Sequence, residues 1–392
     1  MKYFKIDETE LQKKGAIYTA KEISEQPLIW GQTYKKLLHE HKKVKEFWDK
    51  AIKRSEKIIL TGAGTSAFIG YSLEGAFQRH TGITTVSIPT THLVTHPSDY
   101  FQNNVPTLLI SFARSGNSPE SVAVVKLADN ICKECYHLII TCNEEGELMK
   151  YESKNDKFNF VLPPDSNDKG LAMTSSYTSM LLSGLLLSRI REIDKLKEQV
   201  ASLIKFGKNI IANSSDKIRE IAALDFERAV FLGSGPLYGT ATESHLKLQE
   251  LTDGQIICKS DSFLAFRHGP KAVINEKTIV FFIFSNKNHV LRYEKDFVMS
   301  MIKGKKAMLL AGISDGPVSD LELDAHILLS DVSTHIEEEF LAVCSVLPAQ
   351  ILGFFKSLVL GLSPDNPSTS GAISRVVEGV VIYDKDYSTF DN

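Results

Sequence analysis

The chain has 392 residues, 43% of them hydrophobic and 24% charged, with 45 basic against 48 acidic side chains and a net charge of −3. That length leaves room for two cores of ordinary size, and the balanced charge excludes an overall field that would draw a polyanion such as nucleic acid or an anionic membrane. Small-molecule chemistry fits such a surface better.

The opening residues, MKYFKIDETELQKK, are charged throughout and lack the apolar core of a signal peptide, and no apolar run reads as long enough to span a bilayer. The expected location is the cytoplasm. Residues 1–52 show no strand pattern and carry a basic helical stretch, so they read as an N-terminal helical extension packed on the first domain. From there on, apolar runs of strand length alternate with helical patterns, which is the mark of an α/β fold with parallel sheets. A first domain, residues 53–215, holds the strands KIILTG, TTVSIP, PTLLISF, YHLIIT and FNFVLP. A long helical pattern then runs from Thr174 to about Phe206, with Gly207 as its stop. A second domain, residues 216–392, restarts with RAVFLGSG and continues through GQIICK, TIVFFIFS, KAMLLAG and AHILLS to an apolar helix over about Ile336 to Leu360. The turns Gly62-Ala63-Gly64 and Gly233-Ser234-Gly235 lie 171 residues apart, so the two domains read as one duplicated fold.

Five cysteines without an export signal read as reduced thiols. Cys132 and Cys135, with Cys142 nearby, have no second pair to complete a zinc site. No metal and no organic cofactor are expected.

The segment LTGAGTSAFIG sets a strand, a glycine turn and a helix in the order of a dinucleotide fingerprint. A nicotinamide enzyme would place an acidic residue roughly twenty positions further on to hold the ribose. Here the second strand ends TTVSIPT and offers none. The segment SFARSGNSPES follows the third strand in the same way, and both loops fall at strand carboxyl ends, where open parallel sheets bind ligands. Gly64, Thr65 and Ser66 start one helix; Arg114, Ser115, Gly116 and Ser118 start another, with Pro119 where a first helical turn tolerates proline. Helix N-termini attract phosphate through free N–H groups and the helix dipole, hydroxyls add donors, and an arginine adds a planar fork. Capping alone would need one such residue. The two loops together read as a site for a single phosphate group.

At these residues the chain resembles the SIS (sugar isomerase) family of phosphosugar-binding proteins, which includes the isomerase half of glucosamine-6-phosphate synthase. The family's phosphate loops look like G-T-S and S-x-S-G-x-T; here they stand as Gly64-Thr65-Ser66 and Ala113-Arg114-Ser115-Gly116-Asn117-Ser118. Ala113 replaces the first serine, and Arg114 brings a charge. In the second domain, ESHLKLQE followed by RHGP resembles the family's E-G-A-L-K-L-K-E and K-H-G-P, which puts Glu243, Lys247, Glu250 and His268 on its functional positions. The tail DNPSTSGAISRVVEGV also resembles the family's, with Ala372 where the synthase has a lysine. The stretch Leu93-Val94-Thr95-His96-Pro97 and this tail are similar to those of the galactosamine-6-phosphate deaminase/isomerase branch. The resemblance implies two tandem SIS domains, each a parallel-sheet three-layer αβα sandwich. It further implies conversion of galactosamine 6-phosphate to tagatose 6-phosphate and ammonia.

Glu243, Lys247 and Glu250 are spaced to share one face of a helix. By the resemblance, Glu250 is the base that moves a proton from C2 to C1, and a buried carboxylate with a raised pKa suits that task. His268 would open the sugar ring, and in the family it comes from the neighbouring subunit, which implies a homodimer or higher homo-oligomer. Lys247 and Glu243 would orient the sugar or stabilise the enolate-like intermediate. Plain aldose–ketose isomerisation and action on the gluco epimer use the same residues. A phosphosugar-sensing regulator is the alternative of another class, although residues 1–52 hold no helix-turn-helix pattern. His92, His96 and Thr174-Ser175-Ser176 are open between sugar contact and structural use.

Overall fold

The computed structural model describes residues 1–304, 306–330, 334–377 and 379–383. The chain opens with a short hairpin, β1 (Lys2–Tyr3) and β2 (Ile6–Asp7), then α1 (Glu8–Lys13) and the 38-residue helix α2 (Ile17–Arg54). A first βα series follows: β3 (Lys57–Thr61), α3 (Thr65–Thr81), β4 (Thr84–Ser87), α4 (Thr90–Thr95), β5 (Thr107–Ala113), α5 (Pro119–Ile131), β6 (Cys135–Thr141), α6 (Glu147–Lys150) and β7 (Asp156–Val161). Helices α7 (Ser175–Ser188), α8 (Lys197–Asn209) and α9 (Ser215–Ala222) lead to the second series. That series is β8 (Arg228–Gly233), α10 (Pro236–Leu251), β9 (Ile257–Asp261), β10 (Thr278–Ile283), α11 (Asn288–Lys303), β11 (Leu309–Ser314), β12 (Ala325–Leu328), α12 (Glu338–Cys344) and α13 (Leu347–Val359).

Both series form five-stranded sheets, ordered β4-β3-β5-β6-β7 and β9-β8-β10-β11-β12, and every pairing in them is parallel. The two orders are the same when each sheet is counted from its own first strand, which is the duplication expected from the glycine turns. Strands β5 and β6 are buried at all seven positions, as parallel strands covered by helices on both faces must be. Each sheet has its own core: Ile59, Leu109, Val124 and Ile139 belong to the first, and Leu232, Phe263, Phe282 and Phe297 to the second.

Contacts divide the chain into two compact units. One comprises Met1–Gly31, Asp168–Thr178 and Lys197–Ser374 and contains the second sheet. The other comprises Gln32–Asn167, Ser179–Leu196 and the described residues of Arg375–Asn392, and contains the first sheet. The N-terminal segment therefore does not pack on the first sheet alone. Its first part belongs with the second: Phe4 packs on Phe354 and Phe355, the Gln26 amide donates to Gln350 Oε1 at 2.6 Å, and Trp30 Nε1 donates to Thr178 Oγ1 at 3.0 Å. Its later part belongs with the first, where Trp48 meets Phe77, and Phe47 meets Tyr136 and Phe158.

Two other expectations are corrected, and one open question is answered. Gly207 does not stop a helix but lies inside α8, where a Cβ would meet the Trp30 ring at 2.5 Å and Pro27 at 2.8 Å. Its missing side chain lets α2 approach. Gly207→Val should accordingly destabilise the protein by about 1–3 kcal/mol through overpacking, read as a lower urea midpoint at unchanged slope. Residues 338–359 do have the length and apolarity of a membrane span, against the sequence reading, and 89% of their most apolar 18 residues are buried in the fold. They form the core helices α12 and α13. Lastly, Thr174, Ser175 and Ser176 serve the fold. The buried Asp168 carboxylate accepts the backbone N–H groups of all three, each at 2.9 Å, and the Thr174 hydroxyl at 2.8 Å, while the Ser175 hydroxyl donates to the Glu22 carbonyl.

Candidate active site

In the first sheet, the connection after β3 returns on one side and that after β5 on the other, so the space between their carboxyl ends is the topological switch point where such sheets bind ligands. Both predicted phosphate loops flank it. Gly62 has no room for a side chain, because a Cβ would lie 2.6 Å from the Ser66 carbonyl carbon. Gly64 has φ +55° and delivers the chain into α3 with Thr65 and Ser66 buried at its first turn. After β5, Gly116 adopts φ +67°, and Ser118 stands at the N-cap of α5 without making a side-chain cap bond. The capping explanation of Ser118 therefore fails, and its hydroxyl is spared for another use.

The second loop is braced by a segment the sequence reading passed over. Asn143 Nδ2 donates to the Ser115 carbonyl at 2.8 Å, the Leu148 N–H donates to the Gly116 carbonyl at 2.9 Å, and the Asn117 side chain accepts the Glu147 N–H at 3.0 Å. Gly146 must lack a side chain here, since a Cβ would come within 2.7 Å of the Ser115 carbonyl oxygen. The pattern NEEG directly after the fourth strand was the available signal. Arg114 is buried, and its guanidinium donates to the carbonyl of Arg375, whose own guanidinium donates to Asn167 Oδ1 at 2.9 Å. Thus the tail residue Arg375 belongs to the surroundings of this loop. The hydroxyls of Thr61 and Ser111, register partners at the ends of β3 and β5, are buried with no hydrogen-bond partner among the described residues. Of the two histidines left open, His92 and His96 are both exposed, and His96 Nδ1 lies 3.0 Å from the Thr95 hydroxyl.

The second sheet carries the other predicted group. Gly233 and Gly235, the latter at φ +54°, turn the chain into α10, which places Glu243, Lys247 and Glu250 on one face. Lys247 Nζ lies 2.6 Å from Glu250 Oε2 and 3.2 Å from Glu243 Oε1. Glu243 and Lys247 are fully buried, whereas the Glu250 side chain keeps 23% of its exposure. Burial alone would weaken the Lys247 ammonium, but the two carboxylates outweigh it and push its pKa above the ordinary lysine value. The lysine is a fixed cation at this site, and Glu250 is the member of the row that solvent or a ligand can reach. His268 ends a short 3-10 turn, is exposed, and makes no hydrogen bond or ion pair among the described residues. The structure joins three of the four predicted residues and leaves His268 apart from them.

The switch point of the second sheet is filled from within. Ser285, which stands 171 positions after Arg114, donates its N–H to Glu294 Oε2 at 2.9 Å and its hydroxyl to Glu338. Lys287 pairs with Glu338 at 2.8 Å. Here the chain's own carboxyl groups occupy the position where the first sheet presents an open serine loop. Burial raises the Glu294 pKa to about 7, with the Ser285 and Ser234 hydrogen bonds opposing the shift. A carboxyl raised in the folded state supports folding fully below its unfolded value and loses that support as pH rises through the folded one. Glu294→Gln should therefore flatten the fall in stability between about pH 5 and 8 by about 3 kcal/mol, checked by urea unfolding across that range. Glu22, raised to about 8 by burial and by Asp168, keeps the remaining slope in the variant.

With this geometry in place, comparison with known proteins adds relatives. The SIS domain family matches residues 51–189. The chain is 38% identical to D-galactosamine-6-phosphate deaminase AgaS of Shewanella sp. (strain ANA-3), over 95% of this chain and 94% of that protein. It is 37% identical to D-galactosamine-6-phosphate deaminase AgaS of Escherichia coli O157:H7, over 93% and 95%. Among solved structures, tagatose-6-phosphate ketose/aldose isomerase from Escherichia coli superposes with a TM-score of 0.84 at 34% identity, over 94% of this chain and 97% of that one.

Proposed function

We infer, for a chain that belongs to the SIS-domain family of D-galactosamine-6-phosphate deaminases, that it is an enzyme converting galactosamine 6-phosphate and water to tagatose 6-phosphate and ammonia. The observation that carries this reading is the row on α10: a fully buried lysine held between a buried carboxylate and a reachable one. A sugar-phosphate sensor has no need of it.

The unit with the first sheet supplies the anion grip. Thr65, Ser66, Ser115 and Ser118, with the N–H groups of Gly64 and Gly116 and the positive ends of α3 and α5, suit a phosphate monoester. Arg114 adds charge to this loop from behind. The unit with the second sheet supplies proton transfer. Glu250 takes the proton from C2 of the open-chain amino aldose, giving an enolamine, and the same carboxyl returns it to C1. The C2 imine that results adds water and expels ammonia, leaving the ketose phosphate. Lys247 offsets the negative charge that develops on oxygen during the first step, and Glu243 holds that ammonium in place.

Ring opening requires a group that exchanges protons near neutrality, and histidine has that range. His268, exposed and without a hydrogen bond or ion pair among the described residues, is suited to act in a second copy of the chain, so the active form is a homodimer or higher homo-oligomer. Consumption of water makes the overall reaction hydrolytic. A phosphorylated sugar does not cross a bilayer unaided, so the enzyme works in the cytoplasm, where the sugar is phosphorylated.

Incubating the protein with galactosamine 6-phosphate and with glucosamine 6-phosphate, and measuring ammonia and ketose phosphate, tests the assignment. Release of both products from the galacto epimer is expected. Isomerisation of an aldose phosphate with no ammonia from either amino sugar would instead support a plain ketose/aldose isomerase.

A further inference from the structure

We propose that a cleft at the far end of α3 is a second anion site, which takes the phosphoryl group of a small metabolite. Helix α3 has 17 residues and so spans about 25 Å. Its first turn carries Thr65 and Ser66, and its last carries Arg79, His80 and Thr81. The last turn borders a cavity of about 290 Å³, closed by Trp48 of α2 and by Arg189, Arg191 and Glu192 after α7. This cavity is therefore remote from the phosphate loops of the same sheet.

Its charge sets it apart from the rest of the chain. Asp49 is shared by Lys45 at 2.5 Å and Arg191 at 2.8 Å, and Glu192 by Arg189 at 2.8 Å and Lys195 at 4.0 Å. The lining itself holds three guanidinium groups, those of Arg79, Arg189 and Arg191, and one carboxylate, that of Glu192. One basic residue in a last turn answers the helix dipole. Several guanidinium groups around one concave space exceed that need and match the planar, forked donors that phosphate takes. The ion pairs fix Arg189 and Arg191 through their Nε atoms, which pre-orients both forks.

The size of the cavity, at the low end for ligand sites, limits the occupant to a small molecule. Trp48 and Ile52 provide an apolar wall for its carbon skeleton. The occupant is thus a small phosphate monoester, and inorganic phosphate is its simplest probe.

Calorimetric titration of the full chain with inorganic phosphate should show two classes of sites. The double substitution Arg79→Gln/Arg191→Gln should weaken one class at least tenfold while leaving ammonia release in phosphate-free buffer unchanged, which also reports intact folding. Ser115→Asp should remove the other class. Titration with glucose 6-phosphate and with sulfate then separates recognition of a monoester from recognition of any dianion, the monoester binding tighter than either ion. Identical isotherms for the wild type and the double arginine variant would overturn the proposal. Loss of both classes in Ser115→Asp would do so too. Persistence of both classes in Ser115→Asp would count against the phosphate loop, and not against this cavity.

Discussion

Glu250→Gln is expected to lower the rate of ammonia release from galactosamine 6-phosphate by at least about two orders of magnitude, the usual scale for a lost general base. The affinity for tagatose 6-phosphate should stay within a few-fold of wild type, because glutamine preserves the size of the side chain and still accepts a hydrogen bond from Lys247. Steady-state kinetics beside equilibrium binding separates the two effects. A variant that kept its turnover would remove Glu250 from proton transfer, and one that lost binding as well would make it a positioning residue.

Lys247→Met should have the largest effect on folding. The ammonium is fully buried and lies 3.2 Å from Glu243 Oε1, which is itself fully buried. Removing one partner of such a pair leaves a buried charge without that counterion, at a cost of about 3–5 kcal/mol. The urea midpoint should drop accordingly. The double variant Glu243→Gln/Lys247→Met removes the stranded charge and should recover much of that loss while remaining inactive. Equal destabilisation in the single and double variants would show that the pair does not act as a unit.

These residues were legible in the sequence because their spacing is a helical property. Positions 243, 247 and 250 share one face of any regular helix, and α10 is regular from Pro236 to Leu251. The inner strands β5, β6, β8 and β10 were equally legible, since parallel strands covered on both faces must be apolar at nearly every position. The glycine turns were readable for a different reason. Gly62 and Gly233 close strand-to-helix corners where a Cβ would strike the next helix turn, and that demand leaves glycine in the sequence.

What stayed hidden depends on partners distant in the chain. Gly207 looks like a helix stop when only local propensity is weighed, and only the approach of Pro27 and Trp30 explains it. Thr174, Ser175 and Ser176 read equally as sugar contacts or as structural groups until the Asp168 carboxylate is seen to hold them. The role of Asn143 and Gly146 in bracing the Ser115 loop, and the Arg375 carbonyl behind Arg114, needed the third dimension in the same way. The two halves look alike in their strand patterns, yet Glu294 and Glu338 fill one switch point while the serine loops border the other. That difference rests on side chains outside the duplicated motifs.

Phosphate recognition by the first sheet is tested most directly by titrating tagatose 6-phosphate into the wild-type protein and into Ser115→Asp. Two classes of site in the wild type, and loss of the phosphate-loop class alone when a carboxylate is set against the phosphoryl group, is the predicted result. Binding of equal strength in both proteins would show that the anion is held elsewhere.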